Sequence, residues 1–427
     1  MSDMKDKLRA LASQDGLMMG AEWRQKLQRL ERQRAEGRFE IDKIVPGEVL
    51  GGTGSGFYLV REDFPLDTRH GAVTLGAALE AAPEHIALSA CDDELEAFEP
   101  GSALFIDAET TGLAGGTGTV AFLIGVGYFV GDAFRLEQCF MRDFDDEEPM
   151  LEYLNSLFQG RDAVVSYNGK SFDLPLLRTR FIQNRIPFRL DSAMHFDLVH
   201  AARRFWRRRL QDCTLGNVER AILGLKRHGD VPSSEIPQMY FDYLRTRDAR
   251  PLAGVFYHHK TDILSLVALA AWLARCLSVP DGEGFEHSQD KLCLVRVHFM
   301  RKEYEAVVRH GQRLLEAEAE SEVRRECLEF LGFAHKRLHG WQEMEDTWAL
   351  LLQESPMNLV ARLELAKHHE HRTRNLIEAE RICAEVVQFL ETRAALGRAE
   401  PGDAALDMFA SRLARIRQKL AKGRGDA

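Results

Sequence analysis

Cysteine is scarce in this 427-residue sequence, and no two cysteines form a CxxC pair. The seven cysteines are odd in number and widely spaced, which excludes a zinc knuckle or a disulfide framework and is typical of reducing compartments. Long apolar runs are also missing, because the longest, Ile263 to Ala274, is shorter than the roughly 18–20 residues that span a bilayer. The N-terminus lacks the apolar segment of a signal peptide. We therefore expect a cytoplasmic protein that makes no contact with membranes.

An excess of basic residues is missing as well. The sequence has 66 acidic and 56 basic residues and a net charge of −10, which excludes a uniformly basic coat for nucleic acid. A local exception is the stretch from Arg161 to Arg209, which contains eleven Lys or Arg and four Asp and therefore has a net charge of +7. In this stretch Arg203, Arg204 and Arg207 alternate with two aromatic residues, a pattern that suits phosphate contact and base stacking. A solvated amphipathic helix with its aromatic rings in the core is the alternative.

The composition and the spacing of apolar residues change along the chain and indicate four segments. Residues 1–100 are expected to form an N-terminal helix and a small β-containing appendage. In residues 101–277, buried strands such as VAFLIGVGYFV are interleaved with helical spacing, so an α/β layer fold with a mixed sheet is predicted. Residues 278–290 have the proline, glycine and charge content of a linker. Residues 291–421 are expected to be entirely helical.

The helical tail contains one segment with a repeat-like pattern. Between Leu328 and Pro356, a Leu-Gly pair, two tryptophans and a final proline have the spacing of a tetratricopeptide unit, a helical hairpin of about 34 residues. Such hairpins bury their apolar faces by stacking on their neighbours. The segment therefore predicts a tetratricopeptide-like domain that contacts a protein partner, with a generic helical bundle as the alternative.

Two carboxylates mark the end of the first strand of the α/β region. Asp107 and Glu109 are two residues apart, so their side chains lie on the same face of the strand. Two neighbouring carboxylates at a strand end are costly unless a cation compensates them, and oxygen ligands favour Mg²⁺ or Mn²⁺ over zinc. Taken alone, the pair also fits a solvated acidic strand end.

Two further carboxylates follow in recognisable strings. Asp173 stands in SYNGKSFDLPLL and Asp262 in HHKTDILSLVAL, each at the start of a predicted helix. With Asp107 and Glu109 they resemble the DEDD exonucleases of the ribonuclease H-like superfamily, in which DxE, NxxxFD and a final Asp supply four metal-binding carboxylates. The string DAETTGLAGGTGTVAFLIGVGYF resembles the YprB-type branch more closely, and the likeness covers residues 104–273.

The resemblance implies a ribonuclease H-like core that acts as a 3′→5′ exonuclease on a single-stranded DNA or RNA end. It implies two Mg²⁺ or Mn²⁺ ions, held by the four carboxylates, and a two-metal-ion mechanism. It also places Thr110, Gly112 and Leu113 beside the substrate. Asn168 either contacts the substrate or caps the turn before Asp173. A catalytically weak or inactive nucleic-acid-binding protein that acts through its helical repeats is the alternative function.

The third motif departs from the common DEDD patterns. Those patterns have Tyr four residues or His five residues before the last Asp, whereas this chain has His258 at four and Tyr257 at five. Residues four apart share a helix face, so His258 is aligned with Asp262 and is expected to be the general base. His259 and Tyr257 remain alternatives.

Overall fold

The structure is a computed structural model that describes residues 39–51, 56–112, 118–317, 319–396 and 404–425. The helix predicted at the N-terminus lies before residue 39 and therefore outside the described residues. The chain divides into two compact units. The first comprises Met1–Pro83, Glu94–His200 and Thr214–Trp272, and the second comprises Glu84–Asp93, Ala201–Cys213 and Leu273–Ala427.

Nine strands are present among the described residues: β1 Glu48–Leu50, β2 Phe57–Pro65, β3 Arg69–His70, β4 Val73–Thr74, β5 Leu104–Thr110, β6 Ala121–Val130, β7 Ala133–Phe140, β8 Ala163–Ser166 and β9 Met194–Asp197. Seven of them form a mixed sheet in the order β1-β2-β7-β6-β5-β8-β9, and β3 pairs with β4 separately. The sheet is antiparallel from β1 to β5, whereas β8 and β9 run parallel to β5.

Fourteen α-helices are described: α1 Pro83–Ala90, α2 Glu147–Leu157, α3 Asp173–Gln183, α4 Leu198–Leu210, α5 Leu215–Val218, α6 Ile236–Thr246, α7 Leu252–Ser278, α8 Ser288–Met300, α9 Tyr304–Glu316, α10 Ser321–Arg337, α11 Trp341–Glu354, α12 Leu359–His371, α13 Leu376–Ala395 and α14 Ala404–Gly425. The helices from α8 onward contain no intervening strand among the described residues. A mixed sheet flanked by helices, followed by an all-helical region, confirms the predicted fold class.

The N-terminal segment contributes two strands to the main sheet. β2 is paired with β7 over its length after Phe57, from Tyr58 opposite Phe140 to Pro65 opposite Ala133. β1 then pairs with β2 and forms the sheet edge. The β-containing part of residues 1–100 is therefore continuous with the sheet that carries Asp107 and Glu109. The first four residues of β2 are buried, and the remaining five alternate between exposed and half-buried, which is typical of a strand that leaves the core.

The core of the first unit lies on the sheet and under the helices α2, α3, α6 and α7. Its buried members include Phe122 and Leu123 from β6, Leu151 from α2, Phe181 from α3, Tyr240 from α6 and Phe256 from α7. Phe122 stacks on Tyr240 with 4.0 Å between ring centroids. β6 is buried along nine of its ten residues, which explains its unbroken apolar sequence.

Two glycines of β6 allow α7 to approach the sheet. A Cβ atom on Gly125 would lie 2.1 Å from Ile263 Cδ1 and 2.5 Å from His259 Cε1. A Cβ on Gly127 would lie 2.3 Å from Phe134 Cζ and 2.9 Å from Ile263 Cγ2. All four distances are shorter than a van der Waals contact, so only glycine fits at these two positions when α7 packs this close to the sheet.

Helix α7 is long and apolar enough to cross a membrane by length and composition alone. Its most apolar 18-residue window is 72% buried inside the protein, as in the core helix of a soluble domain.

The second unit packs its consecutive helices onto one another from α8 to α14. In the predicted helical hairpin, Gly332 of α10 faces Trp348 of α11, and a Cβ on Gly332 would lie 2.5 Å from the indole ring. Further along, the buried carboxylate of Glu370 accepts hydrogen bonds from Arg412, Arg415 and Lys419 of α14. The hydrogen bonds from Arg415 and Lys419 outweigh the effect of burial and lower the pKa of Glu370 to about 2. Charge-assisted hydrogen bonds therefore fix the last helix to α12.

Candidate metal centre

Strand β5 carries the first two carboxylates in the middle of the sheet. Asp107 pairs with Gly125 of β6, and Glu109 pairs with Leu123. The register shifts directly after Glu109, because Thr110 pairs with Ala121 and one residue of β6 is left without a partner on β5. Bulges of this kind bend a strand and re-aim its side chains, and they are common beside active sites. The DAETT string therefore ends at an irregularity that positions Glu109.

The loop between β8 and α3 brings in the third carboxylate. Asp173 is the first residue of α3, and the preceding turn contains Asn168, whose backbone has a φ of 69°. The buried carboxylate of Asp197 accepts hydrogen bonds from the backbone N–H groups of Asn168 and Lys170. Gly169 has no room for a side chain, since a Cβ would lie 2.4 Å from the hydroxyl oxygen of Ser166. Asp197 and Gly169 thus shape the turn that presents Asp173.

Helix α7 supplies the fourth carboxylate together with His258. His258 Nε2 lies 3.4 Å from Asp262 Oδ2 and 3.9 Å from Glu109 Oε1. One potential ligand atom from each of these three residues lies within 4.8 Å of the others. Carboxylate oxygens are the ligands that Mg²⁺ and Mn²⁺ prefer, whereas an imidazole nitrogen suits zinc and other transition-metal ions. The donor set of this site therefore fits a divalent cation.

The four carboxylates destabilise one another's charged forms. Burial raises the pKa of Glu109 to about 9, and the negative charges of Asp107, Asp262 and Asp173 add to this increase. Burial also raises the pKa of Asp107 to about 6, against the opposing effect of His258 and Arg227. The pKa values of Asp173 and Asp262 are raised by burial and by repulsion from Asp107. The site is short of positive charge, which a bound cation would supply.

One arginine partly offsets this deficit. The guanidinium of Arg227 donates two hydrogen bonds to the buried carboxylate of Glu219, at 2.7 and 2.5 Å, and a third to Asp262. It also lies 3.2 Å from Asp230 Oδ2. Arg227 therefore orients Asp262 and neutralises part of its charge.

The two adjacent histidines of α7 have different environments. His259 is completely buried, and its Nε2 donates to the backbone oxygen of Asp107 at 3.1 Å. Its Nδ1 accepts from Gln138 Nε2 at 3.0 Å, so both ring nitrogens are engaged. Burial lowers the pKa of His259 to about 4, which keeps the ring neutral. His259 therefore ties α7 to β5, whereas the His258 ring faces the carboxylates.

The predicted substrate-binding residues near the strand end are only partly described. Thr110 uses its hydroxyl within the turn, where it donates to the backbone oxygen of Gly112 at 2.9 Å. A Cβ on Gly112 would lie 3.8 Å from the hydroxyl oxygen of Thr119, an ordinary contact. Leu113 lies outside the described residues. Beside Asp173, the ring of Phe172 is 54% exposed, a feature that the sequence pattern did not single out.

The three arginines of the basic stretch belong to the second unit, whereas the carboxylates belong to the first. Arg203 and Arg207 are exposed, and Arg204 donates to the backbone oxygen of Ser89. The two aromatic residues between them, Phe205 and Trp206, are fully buried and therefore pack in the core. Contact of these arginines with nucleic acid stays a prediction.

Several residues of the site carry no motif in the sequence. Arg227, Asp230 and Glu219 lie in a segment between the second and third motifs, and Gln138 lies on β7. The string KRHGD could have drawn attention to this segment, because basic residues and an acidic residue flank a glycine turn there. The glycine is Gly229, whose φ is 69°.

The comparison with known proteins supports the fold of the α/β region. Residues 104–274 match a family model described as RNase_H superfamily. The chain is also 29% identical over 370 residues to "Uncharacterized protein YprB" of Bacillus subtilis (strain 168), a match that covers 85% of this chain and 86% of that protein. Residues 104–274 therefore contain an RNase H-like fold. A fold of this kind supports a nuclease that binds nucleic acid, and it normally uses divalent metal ions.

Among solved structures, the family B DNA polymerase of Pyrobaculum calidifontis is similar over 47% of this chain and 29% of the polymerase, with 16% identity. The chain thus matches less than a third of that polymerase. The TM-score of 0.33 is too low for this likeness to carry a functional argument.

Proposed function

We propose that the protein is a metal-dependent nuclease that hydrolyses phosphodiester bonds of nucleic acid. The observation that carries this proposal is the gathering of Asp107, Glu109, Asp173 and Asp262, from three separate elements, at one buried and electrostatically strained site. Four buried carboxylates that one arginine compensates only in part would be a poor structural device, because their mutual repulsion costs stability. Their arrangement is explained if they hold divalent cations.

The residues of the chain have separate tasks in this proposal. Asp107, Glu109, Asp173 and Asp262 hold Mg²⁺ or Mn²⁺ and, through these ions, receive an anionic backbone. Bound ions supply charge compensation for the phosphate and activation of water. Arg227 and His259 keep Asp262 and the backbone of β5 in place. The number of ions, two by family resemblance, belongs to the proposal.

We assign the role of general base to His258. Its Nδ1 lies 2.7 Å from the carboxylate of Asp230, which can only accept a hydrogen bond, so Nδ1 carries the hydrogen. Its Nε2 then has the lone pair that takes a proton, and its hydrogen-bond partner is the hydroxyl of Ser233, at 3.2 Å, which a water molecule can replace. His259 has no free ring nitrogen, and Tyr257 is 38% exposed and lies on another helix face.

His258→Ala is expected to lower kcat by about 10²–10⁴-fold, the usual contribution of a positioned base. The matched control is Tyr257→Phe, which should leave kcat within a factor of a few. Calorimetric titration with Mn²⁺ separates the base from a ligand, since loss of a base leaves the metal affinity unchanged. A kcat that does not move, or a large loss of Mn²⁺ affinity with the kcat loss, would contradict this assignment.

The experiment that tests the nuclease function uses labelled single-stranded, duplex and RNA–DNA hybrid substrates. Purified protein should degrade at least one of them with Mg²⁺ or Mn²⁺ and leave all of them intact with EDTA. Substrates labelled at either end test the proposed 3′→5′ polarity and the preference for a single-stranded end. Wild-type protein that binds Mn²⁺ but leaves every substrate intact would favour the alternative, a nucleic-acid-binding or scaffold protein.

The helical region is proposed to be a tetratricopeptide-like module that contacts a protein in the cytoplasm. The close packing of Gly332 against Trp348 and the sequential contacts from α8 to α14 support helical hairpins that stack in order. Cross-linking in cell extracts should then place partners on this region. Cross-links confined to the RNase H-like domain would overturn this part of the proposal.

A further inference from the structure

A cavity of about 650 Å³ opens beside the metal centre within the first unit. It is lined by residues 214–233 and by His258 and Asp262 of α7, so one wall of the cavity is part of the candidate metal centre. The volume lies within the range of about 300–1,000 Å³ that is typical of pockets for small ligands. No residue proposed from the sequence to bind substrate lines this cavity.

Some of the basic side chains that line the cavity have no acidic partner among the described residues. Arg220, Lys226 and His228 line it with exposed side chains. Neither Arg220 nor Lys226 forms an ion pair with any residue that the structure describes. In the basic stretch, Arg208 pairs with Glu322 and Arg209 with Asp290 inside the second unit, whereas Arg203 and Arg207 are exposed. Unpaired cations that converge on a cavity favour an anionic ligand.

The acidic groups of the cavity wall are partly compensated by one arginine. Glu219 and Asp230 both lie against the guanidinium of Arg227, and Asp262 accepts from the same group. An anion that enters the cavity therefore meets Arg220 and Lys226 beside acidic groups whose charge Arg227 offsets in part. Arg220 follows Glu219 in a π-helical turn, Glu219–Leu223, and such turns are frequent at functional sites.

The remaining wall is apolar and partly exposed. Leu215, Leu225, Val231 and Pro232 contribute carbon surface to the same cavity. A ligand that is complementary to both the basic and the apolar lining residues has an anionic part and a flat or apolar part. A nucleotide unit has this composition, with a phosphate for the cations and a base for the carbon surface.

We propose that this cavity is a subsite for one nucleotide of the strand, next to the phosphodiester held at the metal centre. Arg220 and Lys226 bind the backbone phosphate of this nucleotide, and its base packs on Leu225, Val231 and Pro232. The proposal rests on the proposed nuclease function and adds the path of the strand. The subsite holds the substrate in register, and the chemical step takes place at the carboxylates.

The test is the double variant Arg220→Glu/Lys226→Glu, compared with wild type on a single-stranded oligonucleotide. The KM should rise at least about 10-fold, and the salt dependence of binding should weaken by about 1.4 in log–log slope, as expected for two lost contacts with a single strand. Hydrolysis of bis(p-nitrophenyl) phosphate, which is too small to reach both sites, should keep its rate. The control is Lys43→Glu/Arg69→Glu, which makes the same charge change at exposed residues outside the cavity.

Binding measured by fluorescence anisotropy keeps this proposal separate from the nuclease function. Wild-type protein that binds the oligonucleotide tightly but hydrolyses no substrate would contradict the nuclease function. The subsite would still be supported in that case if the double variant binds the oligonucleotide at least 10-fold more weakly. Equal KM and equal binding in wild type and double variant, or equal losses in the control, would overturn the subsite. Competition by adenosine monophosphate but not by inorganic phosphate is expected, and competition by phosphate alone would reduce the cavity to an anion site and overturn the nucleotide assignment.

Discussion

Asp107→Asn is expected to lower metal-dependent hydrolysis by at least about 10³-fold, which corresponds to about 4 kcal/mol of transition-state stabilisation. Asparagine keeps the size of the side chain and leaves the backbone oxygen that His259 contacts, so the loss comes from the missing charge. Initial rates with Mg²⁺ and Mn²⁺ measure this effect. Asp132→Asn, which changes an exposed carboxyl in the β6–β7 turn, is the control for net charge.

The same substitution should stabilise the metal-free protein. The pKa of Asp107 is raised to about 6 by burial, above its value of 3.8 in an unfolded chain, so ionised Asp107 costs free energy at pH 7. Asparagine removes this cost, and the free energy of unfolding should rise by about 1–3 kcal/mol at pH 7. The gain should vanish well below pH 3.8, where the carboxyl is protonated in both states. An inactive variant that is also less stable at pH 7 would contradict this account, since it would indicate a structural role.

Gly125→Ala is expected to reduce both stability and activity. The added methyl group would lie 2.1 Å from Ile263 Cδ1 and 2.5 Å from His259 Cε1, so α7 has to move away from the sheet. Overpacking of this kind costs about 1–3 kcal/mol of unfolding free energy. Because α7 carries His258 and Asp262, its displacement should also weaken Mn²⁺ binding and lower kcat. Urea unfolding and calorimetric titration measure the two effects.

Two variants show whether the contact with α7 is the cause. Gly101→Ala introduces the same methyl group where the nearest atom is Leu79 Cδ2 at 3.7 Å, an ordinary contact, and should be nearly neutral. Ile263→Val removes Cδ1 and should restore part of the stability when it is combined with Gly125→Ala. If the double variant is no more stable than Gly125→Ala, the clash with Ile263 is not the source of the loss.

The sequence predicts the sheet residues of the site well because strand periodicity and motif spacing are local properties. Asp107 and Glu109 are read from one strand, and Asp173 begins a helix where helical spacing begins. The apolar string of β6 predicts a buried strand, but its glycines acquire a meaning only when α7 is placed 138 residues later along the chain, at Ile263. Close approach between distant elements leaves no periodic trace in a sequence.

Charge is the property for which the sequence is least informative. Counting residues draws attention to Arg203–Arg209, yet Arg208 and Arg209 are paired with acidic residues that lie more than 80 positions away. Arg220 and Lys226, in a segment with no eye-catching composition, are the cations that line the cavity at the metal centre. Arg227 and Asp230 were missed for the same reason, because a tertiary ion pair has no fixed spacing.

The position of β5 in the sheet has a consequence for synthesis of the chain. β5 pairs with β6, which follows it directly, and with β8, while Asp262 lies 155 residues after Asp107 on a helix that packs over the same sheet. At about 5–20 residues per second, a ribosome takes roughly 8–30 s to make this interval. During that time the nascent chain holds Asp107 and Glu109 without Asp262 or His258. A growing polypeptide therefore cannot assemble a complete hydrolytic centre beside the messenger RNA that encodes it until α7 has emerged.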